Sequence, residues 1–509
     1  MKSSLNHIFR TIWSDALGTW VAVSELTSAK GKRSRSCVLN AAALADNDSE
    51  AGNLAKRNRF RFKSIAIALV CCYNLSAQAN PSGWTVANGT ASFNQSGNLL
   101  TITNSPNAII NWQSFSIAQG ETTRFIQQSA SGIVLNRVTG ANLSLLLGTL
   151  TSNEPVILIN PAGILVGAGA NINVPGFVAS TLNLSNADFL AGKLNFTANP
   201  NAGTIKNNGT ITTPEGGTVY LIAPQVTNNG IITTPKGETI LAAGNTVQLM
   251  DTGTPGVTVQ ITGNNNTATN LGQILADSGR IGVVGAVVNN SGTISANSLV
   301  SEGGRVFLKA TSLVEAGGTI TANGTSGGSV DISAAHSLDS NAPGIAIQTG
   351  VIQAQGTAGT GGTVSLSGDS ILSAAAINVD GTTAGGFINV QASNFALSTA
   401  SAQYTADSTK GVGGDILVLG NVSNYSSGSY SATGTTGGNL TFAGDEIKLA
   451  GAQFNANGNY GGGNIHVGGL MHGAAGFSAQ GTALANATDV LTNSTANFTA
   501  DALQSGNGG

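Results

Sequence analysis

Three of the four histidines, His336, His466 and His472, lie beyond residue 80 and are the first candidates for binding a metal ion. No Glu-x-x-His motif accompanies them, and His472 lies in a Gly/Ala-rich loop. All three cysteines precede residue 80, so the rest of the chain has no thiolate ligand and no disulfide. The sequence therefore predicts no metal site and no cofactor.

Carboxylates could perform acid–base catalysis only if they converged on one face with a cation. In the C-terminal part they are scattered along the chain, at Asp331, Asp369, Asp380, Asp407, Asp415 and Asp445. After Lys309 the cations are Lys410 and Lys448, and no nucleophile–base pair or phosphate-binding loop appears. The sequence predicts that the protein is not an enzyme. A polysaccharide-cleaving enzyme of the pectate-lyase type is the less favoured alternative.

The elements that carry these residues belong to a repeat. Residues 205–219 (IKNNGTITTPEGGTV) and 226–240 (VTNNGIITTPKGETI) are identical at 9 of 15 positions, at an offset of 21. Further on, a Gly-Gly-x-apolar-x-apolar pattern recurs at Gly303, Gly327, Gly361, Gly385, Gly413, Gly437 and Gly462. Alternating apolar residues predict half-buried strands, and the glycines permit tight corners between them. A period near 20 to 25 without helical patterns predicts an all-β chain, a right-handed parallel β-helix.

The composition agrees with such a stack of coils. Charged residues make up only 9% of the chain, and Gly, Asn, Thr, Ser and Ala fill the corners and outer faces. Equivalent asparagines of successive coils can form hydrogen-bonded ladders, and the sequence predicts them for Asn207 with Asn228 and Asn208 with Asn229. Residues 80–509 carry a net charge of −9 without basic clusters, which argues against a nucleic-acid partner.

The first 79 residues have the pattern of a secretory leader. Five cations within residues 56–63 precede the apolar stretch Ser64–Leu75, which is too short to span a membrane as a helix. Ala77 and Ala79 form a small-x-small cleavage site. The sequence predicts cleavage after Ala79 and delivery to the periplasm by the Sec machinery.

In front of this signal lies a second pattern, Asn6–Leu26 followed by Ala29–Lys32, which includes Trp13 and Trp20. It resembles the extended signal peptide region of very large autotransporters and two-partner secretion exoproteins.

A denser block of motifs occupies residues 108–251. It includes 108–117 (AIINWQSFSI), 135–140 (LNRVTG), 156–167 (VILINPAGILVG) and 176–186 (GFVASTLNLSN). In this order they resemble the haemagglutination-activity, or two-partner secretion, domain of filamentous-haemagglutinin-like exoproteins, in the branch of the high-molecular-weight adhesins. Ala162 departs from the family's Asn-Pro-Asn-Gly turn, but Pro161 and Gly163 remain, so we expect the turn to form.

The resemblance implies a partner and a set of recognition residues. In this family the N-terminal module docks on the periplasmic POTRA domains of an outer-membrane transporter, and the chain folds outside the cell. Asn136 and Arg137 are the strongest candidates for this contact. Arg137 has an alternative role, in which it pairs with Glu121 or Glu154 and steadies a corner.

Two further groups are weaker candidates for the transporter contact. Asn160, Pro161 and Gly163 are expected first of all to make a structural turn. Trp112 and Phe115 would lie on opposite faces of a strand, so that one belongs to the core and the other to a cap or contact.

We therefore predict a leader (1–79), a two-partner secretion β-helix domain (80–300) and a region of β-solenoid repeats (301–509). Because no polar capping repeat follows, we expect the repeats to be truncated. The predicted function is that of an adhesin on the surface of a Gram-negative bacterium, or released from it, which binds host-cell or bacterial glycans and proteins. Alternatives are a structural protein of the biofilm matrix and the stalk of a truncated contact-dependent toxin or haemolysin.

Overall fold

The structure is a computed structural model that describes residues 9–14, 19–24, 80–127, 132–251, 257–263, 265–336, 342–469, 476–478 and 481–509. The chain divides into two compact units, Met1–Ser76 and Ala77–Gly509. In the first unit the strands Phe9–Ser14 and Thr19–Ser24 pair antiparallel. The predicted cleavage residues Ala77 and Ala79 lie outside the described residues. No helix in the described ranges is long and apolar enough to cross a membrane.

The second unit is a parallel β-helix whose coils contribute strands to three ladders, which confirms the predicted fold class. The first ladder is a 16-stranded sheet. Its strands are Ala91–Ser96, Leu99–Asn104, Thr122–Gln127, Thr149–Ser152, Asn171–Asn173, Thr210–Thr212, Ile231–Thr233, Gln273–Leu275, Thr293–Ser295, Thr319–Thr321, Ile352–Gln353, Ala376–Asn378, Gln403–Thr405, Ser429–Ser431, Gln453–Asn455 and Asn497–Thr499.

The other two ladders merge into a 24-stranded sheet because some long strands bend across the corner between them. The second ladder contains Ser82–Asn88, Ile109–Ser114, Val134–Val138, Val156–Ile159, Gly176–Ser180, Thr218–Ala223, Glu238–Ala243, Arg280–Asn290, Arg305–Ala316, Ser329–Ala334, Thr363–Ser373, Phe387–Ser398, Asp415–Gly420, Asn439–Ala443 and Asn464–Val467. The third adds Ser144–Leu146, Ile164–Val166, Ile205–Asn207, Gln225–Asn228, Thr267–Asn270, Ile345–Gln348, Ser423–Ser426, Glu446–Leu449 and Asp489–Thr492.

Four smaller groups of elements lie outside the ladders. The first is the helix Asn186–Leu190. The second is a four-stranded antiparallel sheet of Asn183–Leu184, Leu194–Thr197, Thr246–Asp251 and Val257–Thr262. The others are the pairs Gly434–Thr436 with Gly458–Gly461 and Gly476–Phe477 with Ala483–Leu484.

The core is built from columns of apolar side chains that stack from coil to coil. One column runs through Leu241, Val283, Leu308, Ile332 and Leu366, which are partners in register and at most 1% exposed. Parallel pairing with neighbouring coils about 4.8 Å apart brings these side chains into contact. The predicted strands after the Gly-Gly pairs are present, and the 21-residue repeat is in register, since Ile205 pairs with Val226.

Both predicted asparagine ladders form, and the buried one is longer than expected. Asn207 donates to Asn228 and Asn228 donates to Asn270, each at 2.8 Å between Nδ2 and Oδ1. Asn270 continues the series to Asn290, also at 2.8 Å. Asn229 donates to Asn208 at 2.9 Å on the exposed side. These side chains therefore link successive coils at one corner.

The N-terminal part of the second ladder departs from the half-buried pattern that was predicted for the strands after the Gly-Gly pairs. Val156–Ile159, Gly176–Ser180 and Glu238–Ala243 are buried at every position. Their outward side chains pack beneath the helix Asn186–Leu190 and the four-stranded sheet. Ser329–Ala334 and both ends of Thr363–Ser373 alternate as predicted. Asp415–Gly420 and Asn439–Ala443 do not, because Leu417 and Ala443 pack with Leu484 in a small outer cluster. A strand buried on both faces has a continuous apolar run in place of an alternating one.

Candidate functional site

The predicted recognition residues lie in the first coils of the β-helix, where Asn136 is fully buried. Its Oδ1 accepts a hydrogen bond from Trp112 Nε1 at 2.9 Å, and its Nδ2 donates to the carbonyl oxygen of Ile157 at 3.3 Å. The amide thus fills a polar position between two coils, where a hydrophobic residue would leave the indole N–H without a partner. In the folded module Asn136 is not accessible to another protein.

Arg137 follows on the opposite face of the same strand and is half-buried. Its Nη2 donates to the carbonyl oxygen of Leu184 at 2.8 Å, and its Nη1 lies 3.5 Å from Asn111 Oδ1. Burial lowers the pKa of this guanidinium below its usual value. The pairing considered with Glu121 or Glu154 is not among the salt bridges of the described residues. Instead, Arg137 fastens the segment that crosses the outside of the sheet.

Asn160, Pro161 and Gly163 make the predicted turn. Gly163 N donates to Asn160 O at 3.0 Å, which closes the turn, and Asn160 Oδ1 accepts from Ala162 N at 3.0 Å. The φ of Gly163 is +121°, in the region that favours glycine, and an added Cβ would lie 2.7 Å from Leu143 Cδ1 and 3.1 Å from Thr204 O, so a side chain there is strained. Ala162 occupies its position without disturbing the turn.

The Asn160 side chain also connects this turn to the preceding coil. Its Nδ2 donates to the carbonyl oxygen of Asn142 at 2.9 Å and to Ser144 Oγ at 2.8 Å. Asn160 is fully buried, as Asn136 is. Arg137 is the register partner of Ile159, the residue before Asn160. The predicted recognition residues at 136–137 and 160–163 therefore lie at neighbouring corners of successive coils.

The assignment of Trp112 and Phe115 to opposite faces is wrong. Both are buried to within 1%, and their rings meet edge to face at 5.5 Å. The strand ends at Ser114, so Phe115 lies beyond it, where the chain has turned and alternation no longer applies. Both residues belong to the core.

Sequence reasoning missed the aromatic cap that covers this end of the core. Trp84 stacks on Phe93 at 4.3 Å, and Phe93 meets the Trp112 ring at 5.6 Å. The two residues lie on strands that pair antiparallel with the first coil, Ser82–Asn88 and Ala91–Ser96. The sequence contained a signal for this cap, because apolar and polar residues alternate around Trp84 and around Phe93.

Sequence reasoning also missed a second apolar layer outside the sheet. Phe189 and Phe196, from the helix and the small sheet, are at most 6% exposed. They pack over outward residues of the second ladder such as Ile157, Val178 and Ile240. Its signal was the run of consecutive apolar residues at 156–159 and 219–223.

The candidate metal ligands do not converge within the described residues. These contain no group of three or more His, Cys, Asp or Glu side chains that could hold a metal ion. His336 Nδ1 lies 2.8 Å from Asp369 Oδ2, whereas Ser393 Oγ donates to the other carboxylate oxygen and not to the imidazole. His472 lies outside the described residues.

These features define a parallel β-helix with a capped, double-layered N-terminal module. The family model of the TPS secretion domain matches residues 77–332, half of the chain, and the chain belongs to this family. The model of the extended signal peptide of the type V secretion system matches residues 6–46. The protein is therefore a secreted Gram-negative exoprotein that crosses the periplasm after Sec export and leaves through an outer-membrane two-partner transporter.

Similar proteins come from Haemophilus influenzae. Residues of this chain are 37% identical over 130 positions to a heme/hemopexin-binding protein of strain Rd, and the match covers 25% of this chain and 14% of that protein. A second heme/hemopexin-binding protein is 39% identical over 93 positions, which are 18% of this chain and 10% of the relative. The crystal structure of the HMW1 secretion domain superposes with a TM-score of 0.56 at 27% identity, covering 81% of this chain and all of that one.

Proposed function

We propose that the protein is an adhesin-type exoprotein, which presents a binding surface outside the cell and performs no catalysis. The observation that carries this proposal is the outer face of the later coils, where the described strands expose hydroxyl, amide and isolated carboxylate groups. In Ser329–Ala334 and Thr363–Ser373 the side chains at the partly exposed positions are mainly Ser, Asp and Thr. Weak contacts repeated along such a surface can add through avidity.

The test uses beads coated with the secreted, processed chain. They should retain epithelial cells, other bacteria or printed glycans, and retention should fall gradually as coils are removed from residue 509 backwards. Asp331→Asn should leave binding unchanged, since a distributed surface does not depend on one carboxylate. Loss of all binding with one coil, turnover of a polysaccharide, or retention of hemopexin but of no cell or glycan would each refute the adhesin proposal.

The second part of the proposal concerns docking on the transporter. Residues 80–300 act as the secretion module and residues 301–509 as the repeat region. Within the module, Asn136, Arg137, Asn160, Pro161 and Gly163 form the signal that the POTRA domains read. Because both asparagines are buried in the folded module, the transporter must read this signal before the first coils close.

Point variants can separate recognition from folding. Co-expressed with the cognate transporter, Asn136→Ala and Asn160→Ala should reduce the amount of chain in the medium and leave uncleaved or degraded protein in the periplasm. The matched control is Asn228→Ala, which removes a buried asparagine of the same module outside the proposed signal and should be exported normally. Equal export of all three variants would refute recognition through these motifs.

A further inference from the structure

An arginine pair on the outside of the β-helix has features of a binding site. Arg280 and Arg305 are register partners on neighbouring parallel strands, so two guanidinium groups start from backbones about 4.8 Å apart. Two like charges at this spacing repel each other unless an anion lies between or beside them. Among the described coils the next register partner is Ser329, which adds no negative charge.

The two arginines differ in how they are neutralised. Arg280 is mostly buried, and its Nη1 donates to Glu238 Oε1 at 2.8 Å. Glu238 Oε2 in turn accepts from Tyr220 Oη at 2.7 Å. Arg305 is exposed and makes no side-chain hydrogen bond or salt bridge to any described residue. Among the residues that the structure describes, Arg305 therefore has no ion-pair partner.

Two observations indicate that Arg280 is itself not fully satisfied. Its Nε is buried without a hydrogen-bond partner, although its guanidinium lies 4.7 Å over the ring of Phe307. Burial lowers the pKa of Arg280, and the charge of Arg305 lowers it further, against the opposite effect of Glu238. An additional negative group beside the pair would offset the repulsion between the two guanidinium groups.

The pair borders a groove of about 630 Å³. Lys236 stands at its rim, where its bond to Glu215 joins two side chains that are more than half exposed and contributes little. Hydroxyl groups also line it, from Thr218, Ser278 and Ser329, together with the exposed carboxylate of Glu302. The volume exceeds what a bare ion needs, and the hydroxyls can bond to a polyhydroxylated ligand.

We propose that this groove binds a saccharide through an oxyanion, a carboxylate or a phosphate, which the Arg305 guanidinium holds beside Arg280. A guanidinium presents paired donors that match the oxygens of such a group, and the flanking hydroxyls orient the sugar. The assignment rests on the proposed adhesin function, whose surface it would supply with a charged subsite. Glu302 also lines the groove, where its carboxylate repels an anionic ligand.

Binding to the secreted, processed chain is measured by isothermal titration with matched probes. Trigalacturonic acid and its trimethyl ester share the same sugar chain, but the ester replaces the charged carboxylates by neutral methyl ester groups. Galactose 6-phosphate with inorganic phosphate tests the other oxyanion. We expect the acid or the sugar phosphate to bind, with an affinity that falls as salt is raised, and the ester and inorganic phosphate to bind at least about tenfold more weakly. Equal binding of acid and ester, or binding of no probe, would overturn the proposal.

Two variants and a control locate the site. Arg305→Gln should weaken binding about tenfold or more, and Glu302→Gln should strengthen it by removing the carboxylate that repels the ligand. Arg124→Gln, which alters an exposed strand arginine far along the chain, should match the parent. Unchanged affinity in Arg305→Gln would refute the site while leaving adhesion untouched. If the parent chain binds the saccharide but retains no cells, the adhesin function is refuted instead and the site remains.

Discussion

Buried asparagines form side-chain hydrogen bonds between successive coils of this protein. Asn136 and Asn160 do so in the first coils, and the series from Asn207 to Asn290 does so at another corner. Each amide both donates and accepts, so a column of them satisfies itself once every coil is in place. The same property makes every member costly to remove, since both neighbours then lose a partner inside the core.

The ladder allows a matched test of this cost. Asn228→Ala leaves a donor of Asn207 and an acceptor of Asn270 unpaired in a buried position, and should lower the free energy of unfolding by about 2 to 4 kcal/mol. Asn229→Ala removes a bond of the same kind on the exposed side and should cost less than about 1 kcal/mol. Urea denaturation followed by circular dichroism measures both. Equal losses would contradict the role of burial.

The turn at residues 160–163 gives a second test at this scale. Gly163→Ala places a Cβ against Leu143 at a φ of +121° and should destabilise the module by about 1 to 3 kcal/mol. Ala162→Asn restores the turn typical of the family and should be nearly neutral. Thermal unfolding of the two variants compares them directly. A larger loss of stability for Ala162→Asn than for Gly163→Ala would mean that the conformation of the turn does not determine the stability of this corner.

Sequence alone predicted some of these residues correctly, and the reasons are physical. The asparagine ladder and the turn depend on local spacing, which a repeat makes visible. The positions of Trp112 and Phe115 depend on where the strand ends, and alternation cannot locate that end. The role of Arg137 depends on Leu184, 47 residues further along, and no local pattern announces that contact.

At the scale of elements, the second apolar layer distinguishes the N-terminal module from the later coils. The helix Asn186–Leu190 is only five residues long and begins at Ser185, whose hydroxyl accepts from Asp188 N. So short a helix is not stable alone, and burial of Phe189 on the sheet must hold it. Arg137 adds a polar bond at the start of this crossing segment.

Substitution of two neighbouring helix residues distinguishes the contribution of burial to stability from that of helix propensity. Phe189→Ala should cost about 3 to 5 kcal/mol, because it empties a buried site between the helix and the outer face of the sheet. Leu190→Ala changes a side chain that is 48% exposed and should cost less than about 1 kcal/mol. Urea titration of the secretion module within the full chain measures both. Similar losses would show that the outer layer contributes no packing energy.

The strands themselves were easier to predict than their burial. Gly-Gly pairs mark the corners because a Cβ there would meet the carbonyl of the adjacent coil, as at Gly386, where it would lie 2.2 Å from Gly362 O. Whether the outward face of a strand is wet or covered depends on a segment that leaves the stack and returns. In the sequence of the strand, a covered outward face is visible only as a longer run of apolar residues.

Within the β-helix unit, the N-terminal and C-terminal parts differ more in their balance of charged residues than in their fold. Residues 80–309 contain equal numbers of acidic and basic residues, whereas residues 310–509 contain 11 acids and 2 cations. Parallel stacking repeats each corner position in the next coil, so acids can fall close together. Asp380 and Asp407 show this, since Asp407 N donates to Asp380 Oδ1 at 2.8 Å.

Asp380 is therefore expected to make the stability of these coils depend on pH. Burial raises the pKa of Asp380 above its usual value of 3.8, and the charge of Asp407 raises it further. A carboxyl with a raised pKa stabilises the fold fully below its unfolded value, and this contribution is lost as the pH rises through the folded value. Asp380→Asn keeps the acceptor for the Asp407 N–H but cannot ionise, so it should raise the urea midpoint at pH 7 and flatten its pH dependence. Asp501→Asn, which removes one exposed charge, is the control. A midpoint that shifts equally in both variants would assign the effect to net charge and not to this pair.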